Sequence, residues 1–405
     1  MKIGIVGLGY IGSITAAALA EAGYEILGVD IDRLKVESLA KAEPIIYEPE
    51  LKELLLKNRN KFMFSVDYSV LAQADAIFVV VPTPTKEGKI YLEYVNNAVE
   101  GIKQVNPNAM IIIKSTVLPG TAKLLMEKTG MTIISNPEFT KEGTAIYDTL
   151  HPDRVVIGGI EKDAVEKVKD IWKFTNAPIM ETTNENAEMI KYASNSFLAV
   201  KISFINQIAN LCEKIPSCDV EAVARGMGFD KRIAPYFLKA GIGFGGSCFP
   251  KDTTAFISFA KGVGEDLSIV ESALEVNRSR VERVTNMLDR EFKGREKQTK
   301  IAILGLTFKA DTDDVRESQA IKLASMLKVR GYQINAFDPM AKITLEGVKL
   351  FANARDCIAD SDAVVIATEW GEFKDLVIKD KFTIDMKRIL NPANVNRLKA
   401  VGLYG

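Results

Sequence analysis

Short β-branched runs at residues 3–6, 26–29, 76–81, 110–114 and 132–134 alternate with stretches patterned as helices over the first 160 or so residues. That rhythm predicts a parallel α/β sheet. Between residues 184 and 213 there is no proline, and Met189, Ile190, Tyr192, Phe197, Leu198, Val200, Ile202, Phe204, Ile205 and Ile208 are apolar around most of a helical circumference. A helix apolar on nearly all sides is expected to be buried. Further helical segments follow to about residue 292, and the polar stretch GREKQTK precedes a fresh strand at 301–304. Strands at 334–337, 363–367 and 382–384 around a helix at 318–330 then predict a second Rossmann-like unit. The fold expected is α/β, with two Rossmann-like domains joined by a long central helix and a helical region. The boundaries fall at 1–183, 184–297 and 298–405.

Composition supports a multidomain globular chain. With 405 residues, 47% of them hydrophobic and 26% charged, it can bury a sizeable core in two or three domains. A net charge of -1 gives no general attraction to nucleic acid or to an anionic membrane, so neither is an expected partner. Any anionic ligand must be held by local lysines and arginines. The four cysteines have no CxxC spacing, and the start MKIGIVGLGYIG shows neither a leader nor a span of membrane length, which points to a reducing cytoplasm. His151 is the one histidine, so a histidine-centred metal site or a Ser-His-Asp triad has nothing to build from, and no metal is expected.

The first strand runs directly into Gly7-Leu8-Gly9-Tyr10-Ile11-Gly12 and then into an alanine-rich helix. Gly7 permits the tight turn, Gly9 lets a pyrophosphate approach the backbone, and Gly12 allows helix and strand to pack closely. Asp30 stands eighteen residues beyond Gly12 at the end of the second strand, where a carboxylate accepts both ribose hydroxyls and repels a 2′-phosphate. The expected cofactor is therefore NAD, with Arg33 and Lys35 close enough to soften the preference over NADP. The corresponding turn of the last region, Gly305-Leu306-Thr307-Phe308-Lys309, lacks the glycine spacing and is not expected to hold a second dinucleotide.

Catalytic candidates lie elsewhere. In Gly241-Ile242-Gly243-Phe244-Gly245-Gly246-Ser247-Cys248-Phe249-Pro250-Lys251-Asp252, four glycines make a pliable loop and Pro250 suits the first turn of a helix. Cys248 would then stand at a helix N-terminus, where the dipole and Lys251 favour thiolate. A buried structural cysteine is the alternative. Lys191 and Asn195, four apart on the apolar helix, project from one face; the lysine either pairs with a carboxylate such as Glu188 or stabilises an oxyanion. Glu138 and Glu142, in Asn136-Pro137-Glu138-Phe139-Thr140-Lys141-Glu142-Gly143, follow a parallel strand at the edge where open α/β sheets bind ligands, and either is a potential base or a solvated loop residue. VPTP at 81–84 and KSTVLPGT at 114–121 also follow strands and present hydroxyls there.

Taken in order, GLGYIG, VPTP, KSTVLPGT, NPEFTKEG, AEMIKYASNSFLAVKISFIN, GIGFGGSCFPKD and GLTFKADTDDVRES resemble the UDP-glucose/GDP-mannose dehydrogenase family over nearly the full chain. The resemblance implies four-electron oxidation of a nucleotide-sugar C6 alcohol to a carboxylate with two NAD in succession, through a thiohemiacetal and a thioester on Cys248. Lys191 would steady the oxyanion, Asn195 and Asp252 would orient water and proton transfers, and Thr116 and Glu138 would help activate water. The cofactor contacts implied are Gly7, Gly9, Gly12, Asp30, Lys35, Thr83, Thr116, Glu142 and Arg316. The substrate contacts implied are Glu138, Phe139, Lys191, Asn195, Lys239, Phe244, Gly245 and Lys309, with residues 298–405 binding the UDP moiety. Arg232 matches an arginine that reaches the substrate of the adjacent subunit, which implies a homodimer built on the central helices.

Two segments depart from the family pattern. Thr140-Lys141 stands where Leu-Arg is usual, and Lys387 holds the place of a substrate-binding arginine, so Lys387 and Arg388 stay unassigned. The Pro-Glu-Phe and Pro-Asp-Arg segments favour UDP-glucose over GDP-mannose or a UDP-N-acetylhexosamine. A two-electron hydroxyacid dehydrogenase, which also pairs a Rossmann domain with a lysine and asparagine on a helix, would give one NADH per substrate. A non-catalytic NAD-responsive binding protein would give none.

Overall fold

The computed structural model describes residues 1–86 and 88–404, which divide into two units, Met1–Ser194 and Asn195–Gly405. The first contains strands β1 (Lys2–Val6), β2 (Glu25–Val29), β3 (Phe62–Ser65), β4 (Ala76–Val79), the short hairpin of β5 (Thr85–Lys86) and β6 (Lys89–Ile90), β7 (Met110–Ile113), β8 (Ile133–Ser135), β9 (Val155–Gly158) and β10 (Ile179–Thr182). Its helices are α1 (Tyr10–Glu21), α2 (Arg33–Ala40), α3 (Leu51–Lys57), α4 (Glu93–Val105), α5 (Thr121–Thr129), α6 (Ala145–Leu150) and α7 (Lys162–Trp172). Apart from the hairpin, the strands form one sheet in the order β10-β9-β8-β7-β4-β1-β2-β3. All neighbours run parallel except β8 and β9.

The central strands are uninterrupted apolar runs because helices cover both faces of the sheet. On one face α1, α6 and α7 pack over β1, β4 and β7, with Phe78 meeting Trp172 edge-on at 6.1 Å between ring centroids. On the other, Val95, Val99 and Ile102 of α4 and Leu125 of α5 close the core. The periodicity misses β3 and β10, which are sheet edges with mixed burial, and the four-residue β9.

The second unit has helices α9 (Val220–Gly228), α10 (Phe249–Gly262), α11 (Ser268–Glu291), α12 (Gln319–Val329) and α13 (Ala354–Ala359) after a long helix described below. Its strands are β11 (Lys300–Leu304), β12 (Gln333–Phe337), β13 (Val348–Leu350), β14 (Ala363–Ile366), β15 (Ile378–Asp385) and β16 (Val395–Ala400). They build an all-parallel sheet in the order β13-β12-β11-β14-β15-β16. Rossmann-like units thus stand at both ends of the chain, as the sequence pattern predicts.

The turn after β11 shows why this sheet lacks a dinucleotide fingerprint. Asp338, just past β12, accepts from Leu306 N at 2.6 Å, Thr307 N at 3.0 Å, Thr307 Oγ1 at 3.1 Å and Trp370 Nε1 at 3.1 Å. Its carboxylate is spent on locking the loop, and the next helix, α12, begins only at Gln319.

The long helix, Asn184–Cys212, has the length the sequence predicts but not the burial. Ala187, Tyr192, Ala199, Ile205 and Ala209 are fully buried, whereas Phe197, Phe204 and Leu211 are 65%, 46% and 58% exposed. These three recur every seventh residue and form one apolar stripe on a helix face. The expectation of burial all round is corrected on that face. Among the described residues no helix is long and apolar enough to cross a membrane.

Candidate active site

The dinucleotide turn has the geometry its glycines predict. Gly7 has φ +95, and a Cβ there would lie 2.5 Å from Val80 O; a Cβ on Gly12 would lie 1.8 Å from Gly7 O. Only glycine fits either place. A Cβ on Gly9 would meet nothing within 4 Å, so the reason for that glycine is outside the protein. Gly9 is also the N-cap of α1 and no side chain caps the helix there, an arrangement that suits an anion at the first-turn amides. Gly9→Ala should therefore keep the thermal midpoint of the wild type yet weaken NAD by about tenfold or more, roughly 1.4 kcal/mol. Gly12→Ala should lower the midpoint as well; melts and NAD titrations of the two variants check this contrast.

Asp30 Oδ2 accepts from Leu8 N at 2.7 Å and Oδ1 from Asp32 N at 2.9 Å, leaving lone pairs for a ribose. Lys35 Nζ sits 3.6 Å from Asp30, held in the carboxylate's field. Thr83 is buried at the end of the β4 loop, and Thr116 is half-buried with no hydrogen-bond partner for its hydroxyl among the described residues. These residues fit NAD.

Glu48 has no counterpart among the residues singled out by the sequence. Its buried carboxylate takes the Tyr10 hydroxyl, Gly143 N at 2.8 Å and Ala145 N at 2.6 Å. It thereby ties the first residue of α1 to the loop that carries Glu138, Phe139 and Glu142. Burial and the adjacent Glu48 push the Tyr10 phenol up, so it stays a donor. No local pattern announces Glu48, because its side-chain partners lie 38 to 98 residues away.

Lys191 is 4% exposed and donates to Glu138 Oε1 and to Glu138 O, each at 2.7 Å. Its partner is not Glu188, the alternative the spacing offered. Glu188 instead accepts from Gly120 N at 2.6 Å, Ala122 N at 2.9 Å and Ser135 Oγ at 3.1 Å, capping α5. Burial nonetheless pushes the Glu188 carboxyl up to about 7. Burial alone would raise Glu138 too, but the charge and hydrogen bond of Lys191, with bonds from Thr140 N at 2.7 Å and Oγ1 at 2.9 Å, hold it below the ordinary carboxylate range. Beneath this loop is a cavity of about 260 Å³ lined by Lys114, Asn136, Glu138, Phe139 and Arg154, among others. Arg154 stacks on the Phe139 ring at 3.9 Å.

In the second unit Cys248 is the N-cap of α10, with Pro250 in the first turn, and is exposed. This excludes the buried structural alternative. Asp252, one turn along and fully buried, accepts from Asn195 Nδ2 at 2.7 Å and from Lys251 Nζ at 2.5 Å. The ammonium of Lys251 is thus bound to Asp252. The glycine loop before Cys248 is fixed by side-chain amides that mimic backbone. Asn206 Oδ1 takes Gly241 N at 2.8 Å, and Asn277 bonds both N and O of Phe244 at 2.7 and 3.0 Å. A Cβ on Gly245 would lie 2.4 Å from Glu317 O. Fully buried Arg280 donates to Gly241 O at 2.9 Å.

The remaining candidates are cations that range from exposed Arg232 to mostly buried Lys387 and Arg388. Arg232 is exposed and pairs with Asp230 at 2.7 Å; Arg316 pairs likewise with Asp314 at 2.7 Å. Lys239 is exposed, and Lys309 Nζ lies 5.8 Å from the Phe308 ring. Lys387 is bound to Glu369 at 2.7 Å and Arg388 to Asp219 at 2.9 Å, so each already answers a carboxylate.

Three family models cover the chain in order: the NAD binding domain of the UDP-glucose/GDP-mannose dehydrogenase family over residues 1–176, its central domain over 185–279 and its UDP binding domain over 302–392. A UDP-glucose 6-dehydrogenase of Bacillus subtilis, YwqF, is 41% identical over 392 residues, covering 92% of this chain and 89% of that protein. Another from Rickettsia typhi is 39% identical, with 96% of each chain covered. A UDP-glucose dehydrogenase structure from Pyrobaculum islandicum superposes with a TM-score of 0.95 at 33% identity, covering 99% of this chain and 98% of that one. These matches span the glycine turn, the Lys191 helix and the Cys248 loop together, and the chain belongs to the UDP-glucose/GDP-mannose dehydrogenase family.

Proposed function

We propose that the protein oxidises UDP-glucose to UDP-glucuronate with two NAD, through a covalent intermediate on Cys248. The observation that carries this reading is Cys248 itself, an exposed residue at the N-cap position of a helix at the end of a rigidly held glycine loop, in a chain whose relatives are named for that substrate. NAD, when bound, supplies the acceptor for a hydride once in each oxidation. Gly7, Gly9 and Gly12 would hold its pyrophosphate and Asp30 its ribose, and Lys35, Thr83, Thr116, Glu142 and Arg316 would complete its contacts.

A two-electron oxidation ends at the carbonyl, whereas a four-electron one must carry the aldehyde through a second hydride transfer. The aldehyde must be kept and re-presented, and Cys248 Sγ does so by adding to its carbon as a thiohemiacetal. The helix dipole favours the thiolate that makes this attack. Lys191, desolvated and positively charged, stabilises the oxyanion that forms at each tetrahedral stage. Asp252, fixed by Asn195 and Lys251, handles protons on the thiol side. Once the second oxidation has produced a thioester, Glu138 and Thr116 direct a water at its carbonyl, and Cys248 leaves as thiolate. Phe139, Lys239, Phe244, Gly245 and Lys309 complete the hold on the nucleotide sugar.

The proposal extends to organisation. A cytoplasmic homodimer that covers the Phe197, Phe204 and Leu211 stripe would bury the chain's apolar helix face and bring Arg232 to the partner's substrate. The three-part division at 1–183, 184–297 and 298–405 follows the order of cofactor, dimer and nucleotide functions. The test is stoichiometry: UDP-glucose with excess NAD should form two NADH per sugar, with GDP-mannose and UDP-N-acetyl sugars turning over far more slowly. One NADH per sugar would overturn the reading.

A further inference from the structure

Lys114 is a buried cation that none of these steps uses. It directly follows β7, is 7% exposed, and its Nζ lies 4.7 Å from the centroid of the Trp172 indole. Among the described residues that ammonium has no carboxylate or carbonyl partner. It shares with Glu138 the cavity beneath the 138–141 loop. Burial pushes it down to about 8, with the charge of Glu138 opposing the shift and that of Lys191 adding to it. An ammonium removed from water without a partner destabilises a fold, and a methionine of similar length would avoid that cost.

The use for such a charge lies in Glu138. Both carboxylate oxygens are engaged, Oε1 by Lys191 and Oε2 by Thr140. During thioester hydrolysis Lys191 must also serve a developing oxyanion, and its hold on Glu138 is then divided. Among the described residues Lys114 has no carboxylate or carbonyl acceptor to divide its charge. We propose that Lys114 is a positioning residue for the hydrolytic step, its buried charge acting with that of Lys191 to keep Glu138 a carboxylate able to take a proton from water. This rests on the reading of Glu138 as the water-activating group.

Other charges around the cavity are poorly placed for the task. Lys141 is committed to Asp148 at 3.7 Å, and Arg154 to the Phe139 ring. Asp153, His151 and Tyr147 are exposed, so water screens them. Lys191 and Lys114 remain as the buried cations facing Glu138.

The test compares Lys114→Met and Lys114→Arg in the full protein with NAD and UDP-glucose. In Lys114→Met, kcat should fall by about tenfold to a hundredfold with KM values little changed, and the acid limb of the kcat profile should move up by about one pH unit, since removing a nearby positive charge raises a carboxyl pKa. Acid-quenched samples should carry more acyl group on Cys248, and Lys114→Arg should restore the limb. The thermal midpoint should rise at pH 7 by roughly 2–4 °C. That gain should shrink between about pH 8 and 10.5, where the folded wild type has shed a proton the unfolded chain retains. An unchanged acid limb in Lys114→Met, in an enzyme whose Glu138→Gln variant stalls at the thioester, overturns the proposal alone. Hydrolysis at the wild-type rate in Glu138→Gln overturns the reading of Glu138 and this proposal with it.

Discussion

Cys248→Ala is expected to lower steady-state NADH formation by at least about 10³-fold while leaving NAD affinity unchanged. The cysteine caps α10 in the second unit, whereas the glycine turn and Asp30 are built entirely within the first, so the thiol contributes nothing to the fingerprint's geometry. Alanine removes an exposed sulfur that fills no core, and the fold should not change. Cys248→Ser should fail almost as fully, because a serine hydroxyl is far less ionised at neutral pH than a thiol at a helix N-terminus. Progress curves and calorimetric NAD titration check both variants. Full two-NADH turnover by the alanine variant would sink the covalent route.

Lys191→Met should damage both activity and stability. Its ammonium and the Glu138 carboxylate are 4% and 8% exposed, and removing one member of such a pair leaves an uncompensated buried charge, at a cost of about 3–5 kcal/mol. The loss of an oxyanion-stabilising cation should lower kcat by about 10²–10³. The two effects are separable by combining Lys191→Met with Glu138→Gln. The double variant should regain much of the stability, since the stranded carboxylate is gone, yet remain as inactive as the single one. A double variant no more stable than Lys191→Met would show that packing, not charge, holds this part of the first unit.

Legibility in the sequence followed the range of the interactions. Features whose parts lie within one strand, turn and helix could be read: Gly7, Gly9 and Gly12 between β1 and α1, and Cys248 placed by Pro250 at the start of α10. The partner of Lys191 could not. Local spacing offered Glu188 three residues away, but the amides of α5 claim that carboxylate, and the lysine finds Glu138 fifty-three residues distant. Glu48 carries no local signal for the same reason. Lys114 did leave a trace, a charge closing the apolar run of β7, but a strand-end lysine ordinarily reaches water and nothing nearby says this one does not. The long helix misled in the opposite sense: its apolar circumference predicted burial, and the Phe197 stripe is open in the single chain.

Asp30 carries a consequence for anyone wishing to switch the coenzyme. The usual engineering route to a phosphorylated ribose replaces this acid with a small neutral residue and adds a cation. Here Oδ2 also holds Leu8 N at 2.7 Å, inside the glycine turn, so the residue that reads the ribose is part of the scaffold for the pyrophosphate. Serine would relieve the repulsion and loosen the loop together. Asparagine keeps an acceptor for Leu8 without the negative charge, and with Lys35 then held by Asp32 alone at 3.9 Å, it is the more economical starting point for a redesigned cofactor pocket.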